Sequence, residues 1–129
     1  MDELKPGLAG EAKEIVSEKN TAAAYSSGLV PAFATPAMIA LMENASVIAI
    51  QKALPAGQTS VGIEISVKHL AATPLGLSVR ARAEVTGVEG RRVMFKVEAW
   101  DDKEKIGEGT HQRMIVDEAK FNERVKQKK

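Results

Sequence analysis

The chain has 129 residues, 44% hydrophobic and 4% aromatic, with 18 Lys and Arg against 17 Asp and Glu for a formal charge of +1. That length suits one domain around one core, and the balanced charge and scarce aromatics exclude a basic or base-stacking surface for nucleic acid and any electrostatic hold on an anionic membrane. The absence of cysteine removes disulfides and thiol catalysis.

In chain order, residues 1–7 read as a loose lead-in, with no basic-then-apolar signal pattern in MDELKPGLAG. The longest apolar run, Ala37 to Met42, is too short to span a bilayer, so a cytoplasmic protein is expected. Glu11 to Lys19 is charged but compatible with an edge strand, and Thr21 to Pro31, with Ser26, Ser27 and Gly28, reads as a loop. Thr35 to Leu54 then predicts one helix: Thr35 is placed as an N-cap, Pro36 suits the first turn, Lys52 suits the helix C-terminus, and Pro55 stops the run. Three alternating segments follow, Thr59 to His69, Leu77 to Val85 and Arg92 to Trp100, each with the period of a strand that buries one face. Gly87 to Arg91 joins the last two as a hairpin. Ile106 to Val116 is a fourth strand of mixed pattern, and the tail from Asp117 predicts a short helix with Phe121 and Val125 on one side. A long buried helix followed by antiparallel strands makes an α+β layer with the sheet curled round the helix. One sheet covers such a helix incompletely, so pairing with a second copy is expected.

The helix is apolar almost all the way round, which places it inside the fold. Glu43 breaks that pattern: Ile39, Ala40, Ser46 and Val47 surround it at helical spacing, so it lies on no polar stripe. An unpartnered carboxylate there costs several kcal/mol, roughly, and must be hydrated, paired or used. His69 is in phase with Val61, Ile63, Ile65 and Val67 and closes its strand beside the Ala71 to Gly76 turn, open to solvent. It reads either as a general acid or base or as a core histidine bonded to a backbone carbonyl. Thr35 and Glu43 stand eight positions apart, ~12 Å along a helix, so joint action on one atom calls for converging side chains or a second subunit. Two histidines are too few for a typical histidine-rich metal site, and Gly107-Glu108-Gly109 opens no helix, so it reads as a bulge or close packing and not as a phosphate loop.

Several stretches together, FATPAMIALME at 33–43, the Gly62 to His69 span, HLAATPLG at 69–76, VEGRR at 88–92 and IGEGTHQR at 106–113, resemble the hotdog-fold acyl-CoA thioesterases, within them the fluoroacetyl-CoA thioesterase-like branch. The resemblance covers nearly the whole chain. It implies a curved antiparallel sheet wrapped around one long helix, a homodimer with active sites at the subunit interface, and no cofactor. It also implies a catalytic set of Thr35, Glu43 and His69, with Gly62 near the bound acyl group and Arg113 near the site. The chain departs from the specialist in having Leu29 in place of a gating phenylalanine and Asn44 in place of a bulky aromatic. The function expected is therefore hydrolysis of a short or small acyl-CoA, with Leu29, Phe33 and Met38 shaping the acyl pocket. The alternatives at this point are a non-catalytic acyl-CoA-binding module and a hydratase of the same fold.

Overall fold

The computed structural model describes residues 3–129; the first two residues of the expected lead-in lie outside the described residues. The remainder of the lead-in is tied down. Leu4 and Leu8 pack against the core, and the Gly7 N–H donates to the Val85 carbonyl at 2.9 Å. The elements are β1 (Ala9–Ile15), a 3-10 turn (Glu18–Asn20), α1 (Thr35–Ile50), a second 3-10 turn (Gln51–Ala53), β2 (Gln58–His69), β3 (Ser78–Glu89), β4 (Arg92–Asp101), β5 (Lys105–Asp117) and α2 (Glu118–Lys126).

All strand pairings are antiparallel, in the order β1-β3-β4-β5-β2. Helix α1 touches β1, β3, β4 and also β2 at the far edge, which it can do only because the sheet curves round it. The expected alternation holds in the centre of the sheet: Val79, Ala81, Ala83 and Val85 of β3 and Val93, Phe95, Val97 and Ala99 of β4 are buried against the helix. From α1 they meet Ala37, Met38, Leu41, Met42, Ala45, Ala49 and Ile50. Gly107 answers the expectation of close packing, since a Cβ there would lie 2.5 Å from Met38 Sδ.

Three sequence expectations change and one holds. Helix α1 ends at Ile50, and the continuation to Leu54 is a 3-10 turn. The sheet covers the helix incompletely, as expected: Ala40, Asn44 and Ile48 form an exposed stripe, because five strands cover only part of its circumference. The β3–β4 hairpin is tighter than Gly87 to Arg91. Its strands run to Glu89 and from Arg92, leaving Gly90 and Arg91 as the turn, and Gly87 sits at a register slip inside the strand. In β2 a slip between Gly62 and Glu64 shifts the phase, so Val61 and Ile63 do not share a face with Ile65, Val67 and His69.

Strand and helix also come close at Gly10, where a Cβ would stand 2.5 Å from both the Ala45 oxygen and the Ala49 nitrogen. Both are backbone atoms that cannot swing aside. Gly10→Ala should lower unfolding free energy by roughly 1–3 kcal/mol in chemical denaturation, the range for overpacking a tight core.

Candidate active site

Glu43 lies midway along α1, two turns from the helix start, and its side chain is 40% exposed. It is paired. Arg113 of β5 sends Nη1 to Glu43 Oε2 at 3.2 Å. The arginine side chain is only 7% exposed, and a buried guanidinium demands partners on all sides. It has them. Nε donates to Ser60 Oγ at 2.8 Å, Nη2 donates to the Ser60 carbonyl at 3.1 Å, and Nη1 also lies 3.1 Å from His111 Nε2. The mixed pattern of β5 now has a cause: His111 and Arg113 occupy the helix-facing phase between Gly109 and Ile115, where apolar residues would otherwise stand.

Gly62 sits against this pair. A Cβ at Gly62 would fall 2.7 Å from Glu43 Oε2, so the missing side chain is the space the carboxylate occupies. A cavity of about 200 Å³ opens here, lined by Glu43, Gly62, Ile63, Glu64, Ile65 and His111.

The second group lies at the helix N-terminus. Thr35 is the first helical residue and not the N-cap; Ala34 holds that position and makes no side-chain cap bond. The threonine hydroxyl is instead 2.8 Å from His69 Nδ1, because the end of β2 brings the imidazole within its reach. Burial pushes the His69 imidazole below its ordinary value of 6.5, with the Ala71 backbone partly offsetting this, so the ring is neutral near pH 7. His69 Nε2 is shielded from solvent and makes no hydrogen bond of good geometry among the described residues. Thr35 and His69 line a cavity of about 380 Å³ together with Phe33, Ala32, Val30 and Leu70.

Of the residues singled out in the sequence, Thr35 and His69 meet each other, Glu43 meets Gly62 and Arg113, and Phe33 lies buried in the wall of the larger cavity. Leu29 does not line it: the residue is 96% exposed in the preceding loop, and Val30 takes the wall position. Met38 is fully buried in the core under Gly107 and reaches neither cavity. Ser60 and His111 were missed as site residues. The polar His111-Gln112-Arg113 run inside an otherwise apolar strand was the available signal.

A family model described as fluoroacetyl-CoA-specific thioesterase matches residues 16–119. The chain belongs to that family. It is 48% identical over 96 residues, 74% of this chain and 69% of the relative, to the fluoroacetyl-CoA thioesterase of Streptantibioticus cattleyicolor. An alanine variant of the fluoroacetyl-CoA-specific thioesterase superposes with a TM-score of 0.92 at 38% identity, each chain fully covered. A hot-dog-like protein from Thermanaerovibrio acidaminovorans gives 0.86 at 28% identity, covering 95% of this chain and 91% of that one. The fold is therefore the hotdog: a curled antiparallel sheet around one long helix.

Both imidazoles are pushed below 6.5 chiefly by burial. In the unfolded chain each returns toward that value, so as pH falls the unfolded state takes up protons first and the fold loses stability. The thermal midpoint should drop between about pH 7.5 and 5.5, above the range in which ordinary carboxylates titrate. Replacing both histidines with glutamine should flatten that slope in thermal melts.

Proposed function

We propose that the protein hydrolyses a small acyl-CoA thioester to the free acid and CoA, with Glu43 as the anionic catalyst and His69 and Thr35 as its proton-handling pair. The observation that carries this reading is a carboxylate held at one oxygen by a buried arginine, accommodated by the missing side chain of Gly62 and lining an open cavity of about 200 Å³. A carboxylate so held is fit to attack the thioester carbonyl, giving an anhydride that water cleaves, or to take a proton from a water that attacks directly. In either course water supplies the hydroxyl of the acid, and the departing sulfur ends as the thiol of CoA. His69, neutral near pH 7 and hydrogen-bonded to Thr35, is suited to carry the proton between them. The N-terminal turn of α1 beside Thr35 offers a positive dipole end to the developing oxyanion.

Within one copy these groups do not converge. Glu43 stands at the Gly62 end of β2 and His69 at its other end, seven positions and ~20 Å away along an extended strand. Strand β2 is an edge of the sheet, twelve residues long, and its outer backbone groups are an unpaired ladder. Antiparallel pairing of β2 with its own copy, about a two-fold axis near the middle of the strand, brings the His69 end of each strand toward the Gly62 end of the other and so toward the partner's Glu43. The exposed Ala40, Asn44 and Ile48 stripe of α1, the exposed Ile63 and the bare Leu29 suit such a partner. The reading is thus a homodimer with two composite sites. The acyl group is taken to be small because Gly62 faces a narrow cavity, with Leu29 offered as a contribution to the pocket across the interface.

Glu43→Gln keeps the size and shape of the side chain and removes the anion. Measured by CoA release from acetyl-, fluoroacetyl- and propionyl-CoA, kcat should fall by about 100-fold or more. Equal rates in both proteins would remove Glu43 from the mechanism.

A further inference from the structure

His111 takes no part in the chemistry proposed above, yet both of its ring nitrogens are engaged. It is buried and stacked on Phe95, with ring centroids 5.8 Å apart. Its Nδ1 lies 2.7 Å from the Glu64 carbonyl oxygen. A carbonyl only accepts, so its hydrogen-bond partner assigns the proton to Nδ1. In the neutral ring Nε2 is then an acceptor, and the atom facing it at 3.1 Å is Arg113 Nη1, which can only donate. The same Nη1 donates to Glu43 Oε2. A guanidinium terminal nitrogen has two hydrogens, so these two contacts use both. The other edge of the guanidinium is fixed by Ser60.

We infer that His111 is a positioning residue for the thioesterase reaction: by accepting one hydrogen of Arg113 Nη1 it aims the other at Glu43 Oε2 and sets the orientation of that carboxylate. The inference rests on the reading of Glu43 as the catalytic anion. The device depends on the register slip in β2. Between Gly62 and Glu64 the strand departs from regular pairing with β5, and the Glu64 carbonyl meets an imidazole where a regular strand would offer it to a neighbouring backbone. The slip thus accounts for two features at once: it leaves Gly62 against the carboxylate, and it fixes the tautomer of the ring that steers the arginine.

Two substitutions separate this role from a merely structural one. In His111→Asn the amide nitrogen reaches the Nδ1 position and keeps a donor for Glu64, but nothing is left for Arg113 to meet. In His111→Gln the amide oxygen reaches the Nε2 position and keeps the acceptor for Arg113, while the Glu64 bond is given up. CoA release should show kcat reduced by about 10- to 100-fold in His111→Asn with KM little changed, the scale of a hydrogen bond to a charged group. His111→Gln should retain most of kcat. A glutamine variant as impaired as the asparagine one, or an asparagine variant at the wild-type kcat, would overturn the inference and assign His111 to supporting the slip alone. Nitrogen-15 spectra of the wild-type protein near pH 7 test the same point if a variant folds poorly. A His111 ring protonated at Nδ1 and bare at Nε2 is expected; the opposite tautomer overturns the inference. Wild-type hydrolysis abolished by Glu43→Gln but indifferent to His111→Asn would sink only this inference. No hydrolysis by the wild type would instead sink the proposed activity.

Discussion

A buried positive charge is the constraint from which the site follows. Arg113 projects from the inner face of β5 into a region where water cannot solvate it, and its stability there depends on the groups that meet its donors. Glu43 is the only one of those groups that carries a negative charge. The pairing explains how a carboxylate can sit in the middle of so apolar a helix without being expelled from it. It also leaves the second oxygen of the carboxylate outside the ion pair, so the residue is restrained but not used up.

Fold and chemistry meet along β2. Its first half carries Ser60 and Gly62, which hold the arginine and make room for the carboxylate; its end carries His69, held by the first residue of the helix. Between the two halves the register slips. Curvature of the sheet keeps this strand within reach of α1 even though it is an edge. The chain therefore carries the Glu43 and His69 groups most of a strand apart, along a strand whose outer edge pairs with no other strand among the described residues. Outward-facing charges on the other side of the sheet, such as the exposed pair of Arg82 with Glu84 and the partly exposed cluster of Lys105 with Glu98 and Glu108, do not bear on this arrangement.

Much of this was legible in the residues alone. The period-two patterns of β3 and β4 marked their buried faces correctly, because central strands between a helix and solvent have no reason to depart from alternation. Glu43 stood out because it sits mid-helix on no polar stripe, with Ile39, Ala40, Ser46 and Val47 around it. The misreadings share a physical origin. A threonine before a proline at a helix start looks like a cap, and only the approach of His69 from another element claims its hydroxyl. The slip in β2 carries no local signature, since Val61, Ile63 and Ile65 are all apolar and fit either phase. His111 and Ser60 escaped notice because their role is defined by Arg113, two positions away in one case and on another strand in the other. The exposure of Leu29 and of the α1 stripe follows from how far the sheet and loops reach over them, which periodicity cannot report.

The central claim is that each site takes its acid from one copy and its imidazole from the other. Mixing two individually inactive proteins, Glu43→Gln and His69→Ala, under conditions that exchange subunits tests it most directly. A mixed dimer would then hold one site with both lesions and one with neither, so CoA release should recover to about a quarter of the wild-type rate at equal mixing, the statistical share of intact sites. Persistent inactivity of mixtures in which subunit exchange is demonstrated would mean that Glu43 and His69 of the same chain act together, and the composite arrangement would be wrong.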